Sequence, residues 1–153
     1  IFTLKDLATL VRHAEPIESG VLSVTNDQTS IERAEAAILG ALGRQHYPKA
    51  SVFAIKLSLH EAMSNGFRHG HKGLAAATPI EVEYRIGHQE VELSVRDQGP
   101  GFRPEDVPDP TLEENLERGS GRGLLLIRAY MSSAEYLGAG NHLRMVYRRP
   151  PGT

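Results

Sequence analysis

Cysteine is missing from these 153 residues, and so is tryptophan. Without cysteine there are no disulfides and no thiolate metal sites, which suits a reducing compartment, so the expected localisation is cytoplasmic. No apolar run approaches the ~20 residues that a membrane-spanning helix needs, so no membrane partner is expected. The opening IFTLKDL lacks a secretory pattern. Excess charge is lacking too. A net charge of -2 gives no electrostatic case for nucleic acid or an anionic surface. The chain also starts without an initiator Met, which reads as a trimmed or excised chain with room for an upstream domain.

What is present suits one domain with a real core. Phe2, Leu4, Leu7, Leu10 and Val11 have roughly helical spacing, for either a docking helix or one packed on its own domain. Val21 to Thr25 reads as a short strand. Thr29 or Ser30 reads as the N-cap of a helix carrying Ala34, Ala37, Ile38, Ala41 and Leu42, ended by Gly43 and Pro48. A second helix is predicted over about Lys49 to His69. Within it Glu61 and Asn65 stack one turn apart, and His69 continues their line with a modest drift.

After a loop the period changes to two. Ile80, Val82, Tyr84 and Ile86, then Val91, Leu93 and Val95, alternate with polar residues, which predicts a hairpin with one face on the core. Asp97 keeps the apolar parity and so points inward, a costly direction for a lone acid. Gly99 and Gly101 follow it. Residues 103–119 are proline- and acid-rich and read as a lid. Gly119, Gly121 and Gly123 then lead into Leu124 and a buried helix. Ala134–Leu137 and Leu143–Arg148 close the chain as two strands around a turn. The expected fold class is α+β, a two-layer sandwich of helices on a mixed or mainly antiparallel sheet.

Glu61-x-x-x-Asn65, Asp97-x-Gly99-x-Gly101 and Gly119-x-Gly121-x-Gly123-Leu124 are weak signals singly and specific together. Glycines at a helix start expose backbone N–H groups to polyphosphate, which assigns that role to Gly121, Arg122, Gly123 and Leu124. Asn65 offers a hard oxygen to Mg²⁺. Glu61 is placed to activate a hydroxyl or a water. Asp97 is explained if it accepts a hydrogen bond from a ligand amino group such as adenine's, with Gly99 and Gly101 letting backbone approach base and ribose. Arg122 reads as a phosphate contact or a salt bridge to lid or partner. His69 reaches a phosphate, pairs with His71 on a metal, or is simply satisfied. No GxxxxGK[ST] run exists, GSGRG does not follow a strand, and Ser64 breaks the HExxH pattern, so P-loop, Rossmann and zincin readings fall away.

The three motifs resemble the N, G1 and G2 boxes of the GHKL ATPase superfamily, whose fold is the Bergerat fold with an ATP lid. The likeness spans about Val21 to Arg149. LHEAMSNGFRHG, VRDQGPGF, GRGLLLIRAYM and GAGNHLRMVYRR look most like the small anti-sigma-factor serine kinases. One departure is Gly66, where that family commonly has Ala. The resemblance implies ATP and Mg²⁺ as cofactors, Glu61 as catalytic base, Asn65 as magnesium ligand and Asp97 as adenine reader. It implies a serine/threonine protein kinase acting on a STAS-type anti-anti-sigma protein and sequestering a sigma factor, in a family that often forms homodimers. The implied organisation is an N-terminal helix or linker (1–20), the kinase domain (21–149, lid about 98–120) and a tail (150–153). Competing readings are the catalytic domain of a sensor histidine kinase and a nucleotide-gated binding module without phosphotransfer.

Overall fold

The computed structural model describes residues 3–6, 17–101 and 119–153, with side chains from 123 onward in the last stretch. Of the predicted N-terminal helix only 3–6 are described. There Thr3 Oγ1 accepts from the Asp6 N–H, and Asp6 accepts from the Thr3 N–H, both at 3.1 Å, a capping box around one turn.

Five strands, β1 (Glu18–Val24), β2 (Ile80–Ile86), β3 (Glu90–Arg96), β4 (Ser133–Leu137) and β5 (His142–Arg148), form one sheet in the order β1-β2-β3-β5-β4. Every pairing is antiparallel, so the mixed sheet is corrected to an antiparallel one. β4 does run in the direction of β3, but β5 lies between them and pairs with both. The period-two pattern sets the register. Val82, Val95 and Leu143 form one cross-strand row, and Tyr84, Leu93 and Met145 the next. On the other face the alternating charges meet each other: Arg144 donates to Glu92 at 2.7 Å and to Glu135 at 3.2 Å.

Helices α1 (Gln28–Arg44), α2 (Lys49–Asn65) and α3 (Gly119–Tyr130) supply the second layer. Ala34, Ile38, Ala41 and Leu42 of α1 and Ala54, Ile55, Leu59, Ala62 and Met63 of α2 are buried, as their three- and four-residue spacing predicts. Asp27, not Thr29 or Ser30, caps α1. Its carboxylate accepts from the Ser30 N–H at 2.8 Å, while the Ser30 hydroxyl accepts from the Thr25 N–H. α3 is less buried than its leucines suggested, with Leu125 36% and Tyr130 40% exposed.

The second helix departs from expectation at the site itself. After Asn65 the backbone widens into a π turn, Gly66–Gly70, closed by the His71 N–H on the Gly66 carbonyl at 2.9 Å. On this turn His69 is exposed, while His71, directly after it, is buried.

Candidate active site

The C-terminal end of α2, the end of β3 and the start of α3 meet at one place. α2 supplies Glu61 and Asn65. Both are half-buried, and among the described residues Glu61 has no hydrogen bond or ion pair. Asn65 is more unusual. Its Nδ2 is buried and has no hydrogen-bond partner among the described residues. A buried amide without partners costs stability, and no described residue satisfies this one, so the position suits a ligand. O and N of that amide exchange by a flip, so its oxygen can equally face the space.

What lets α3 come so close to this amide is Gly123. A Cβ there would lie 2.5 Å from Asn65 Nδ2. In a helix that begins at Gly119 the N–H groups of residues 119–121 have no intrahelical acceptor. Gly119 and Gly121 lie in that first turn, and Gly123 and Leu124 follow in the next. Leu124 turns its side chain into the core at 6% exposure. The Arg122 side chain and residues 102–118 of the expected lid are outside the described residues.

Asp97 ends β3 pointing inward, as its parity predicts. Burial pushes its carboxyl above the usual carboxylate range, against a Gly99 N–H donated to Oδ1 at 2.8 Å and the nearby His71. A desolvated acid with one local donor keeps lone pairs for an outside donor. The loop is pinned from outside the three motifs. Asn141, in the turn between β4 and β5, accepts the Asp97 N–H at 2.9 Å on its carbonyl, and its Nδ2 donates to the Asp97 carbonyl at 3.0 Å. Gln98 donates its backbone N–H to His71 Nε2 at 2.9 Å and its side-chain amide to the Pro79 carbonyl. The glycines also have a packing reason. A Cβ on Gly99 would strike the Gly70 carbonyl, and one on Gly101, at φ +78°, the Ala139 carbonyl. They serve backbone packing within the protein.

The histidines separate. His71 is 7% exposed, edge-on to Phe67, and already satisfied by Gln98. His69 is exposed, with its pKa lowered by desolvation and by Arg68 and Lys72. No cluster of three or more His, Cys, Asp or Glu suited to a metal exists among the described residues. No described helix is long and apolar enough to cross a membrane.

An orphaned amide beside a helix start, a free carboxylate one turn back and a desolvated acid on a pinned loop make a donor set that fits an adenine nucleotide with a hard divalent ion. Residues 24–147 match the histidine kinase-like ATPase domain family, and the chain belongs to that family. The GHKL resemblance read from the three boxes is thereby borne out. Two curated relatives carry it further. An anti-sigma F factor of Oceanobacillus iheyensis is 31% identical over 96 residues, 61% of this chain and 64% of that protein. The serine-protein kinase RsbW of Listeria innocua is 28% identical over 105 residues, 65% of this chain and 66% of that protein. The chain thus matches just under two thirds of each relative's length.

Proposed function

We propose that the chain is an ATP- and Mg²⁺-dependent serine/threonine protein kinase of the anti-sigma-factor type. Residues 21–149 form its kinase domain, with 98–120 as lid, and it works in the cytoplasm. The observation that carries this is the buried Asn65 amide, one turn from Glu61 and against Gly123 of α3, with no hydrogen-bond partner among the described residues. The names of the two relatives support the choice of kinase over other activities of the family.

Asp97 accepts the exocyclic amino group of adenine and sets the base at the floor of the site. The N–H groups of 119–121 receive phosphate oxygens without a counter-charge having to be buried. Asn65 gives its amide oxygen to the metal, which when bound supplies charge neutralisation of the phosphates. Glu61 takes the proton from a serine hydroxyl as its oxygen attacks the γ-phosphorus and the bond to the β-phosphate oxygen breaks. The hydroxyl belongs to a STAS-type anti-anti-sigma protein. A sigma factor is the protein held in the alternative complex, and a homodimer is the working form.

Incubation with γ-labelled ATP and a STAS-type protein tests this. Label on serine is expected. Label on a histidine of the chain itself would favour a sensor-kinase reading, and ATP binding with no transfer would favour a binding module. Glu61→Ala is expected to lower transfer about 10²–10⁴-fold while ATP binding persists. Undiminished transfer would remove Glu61 from the role of base.

A further inference from the structure

We infer that His71 is a positioning residue of the nucleotide site, holding the Asp97–Gln98 peptide group so that the Asp97 carboxylate faces the base. The inference rests on the ATP reading above and adds to it a residue outside all three motifs. The geometry is a two-sided grip. The peptide following Asp97 has one acceptor and one donor. Its carbonyl accepts from Asn141 Nδ2 at 3.0 Å, and its N–H, that of Gln98, donates to His71 Nε2 at 2.9 Å. Fixing both polar groups of one peptide fixes its plane, and with it the direction of the side chain that precedes it. The lone pair of Nε2 accepts this bond.

The ring is itself held. It is 7% exposed, lies 6.0 Å from Phe67 at 73°, and follows directly on the π turn whose last hydrogen bond is its own N–H to Gly66. The π turn thus has a consequence for the site: it delivers an acceptor beneath the loop, where a regular helix would present a different side chain. The same segment sets the loop's height, because Gly70 lies against both Asp97 and Gly99.

The test compares wild type, His71→Gln and His71→Phe. Glutamine presents an acceptor at about the reach of Nε2; phenylalanine fills the space without one. ATP and GTP affinities are measured by calorimetry, and the Gln98 amide is followed by NMR hydrogen exchange in the ligand-free protein. His71→Phe is expected to weaken ATP roughly ten-fold, about the net worth of one part-buried hydrogen bond lost from the loop. It should narrow the preference for ATP over GTP, raise KM for ATP with kcat nearly kept, and expose the Gln98 amide to exchange. His71→Gln should restore affinity, preference and protection. A folded His71→Phe protein with wild-type ATP affinity and preference would overturn the inference. So would a Gln98 amide that exchanges freely in the wild type, a readout that remains if His71→Phe does not fold. Wild type that binds no ATP would instead sink the nucleotide reading beneath it.

Discussion

On the proposed reading, Asp97 is a single side chain in which stability and ligand recognition pull apart. Its carboxyl is buried enough to raise its pKa, and among the described residues the Gly99 N–H and His71 oppose that. Folding bears the cost of that buried charge, whose proposed partner is the ligand. Replacing it with asparagine keeps the shape and the acceptor for Gly99 but removes the charge. Asp97→Asn is expected to leave the melting temperature of the ligand-free domain at neutral pH equal or higher. It should weaken ATP by about 2 kcal/mol or more, since an amide that mispairs with the exocyclic amino group leaves a buried polar group unsatisfied. Paired thermal melts and ATP titrations check this. A destabilised variant that still binds ATP normally would make Asp97 a structural acid. The inward direction of Asp97 was legible from strand parity alone. The partners that pin it were not, because Asn141 and His71 are 44 and 26 positions away in opposite directions along the chain.

Between elements, the contact that matters is α3 against the end of α2. Helix periodicity announced both helices and their buried faces. It did not announce that α2 ends in a π turn, since periodicity cannot register one extra residue in a turn. Nor did it show why Gly123 must be glycine. A Gly123→Ala substitution would gain about 1 kcal/mol from helix propensity in an open setting. Here its Cβ would lie 2.5 Å from the Asn65 amide, so α3 or Asn65 must move. The expected result is a loss of Mg²⁺-dependent ATP affinity out of proportion to any change in melting temperature. Titrations with and without Mg²⁺ separate the two, and equal losses in both would place the effect outside Asn65.

Over the whole domain the pH response has a definite sign. Desolvation first, then Arg68 and Lys72 at His69 and Arg96 at His142, hold both imidazoles below their usual range. The unfolded chain then binds protons more tightly than the folded one between the folded values and about 6.5. Their contribution to stability is complete above that pH and is lost as pH falls through the folded values. Asp97 acts oppositely. With its pKa raised in the folded state, its contribution is complete below about 3.9 and is lost as pH rises through the folded value. Melting temperatures of the ligand-free domain should therefore fall as pH is lowered from 7 through the histidine window. The slope should shrink in a His69→Gln/His142→Gln double variant. An unchanged slope would assign the response to other groups. The Arg144–Glu92 pair adds little, being exposed and screened.

Sequence by itself determined the order of helices and strands, the inward Asp97, the Glu61–Asn65 row and the three-box pattern. Each is a matter of local periodicity or of a spacing within a few residues. Tertiary structure decided the antiparallel pairing of β5 between β3 and β4 and the π turn that follows α2. It also decided the two-sided hold of Asn141 and His71 on the Asp97–Gln98 peptide. These depend on which distant segments come within a few ångströms of one another, and side-chain spacing along a chain carries no record of that.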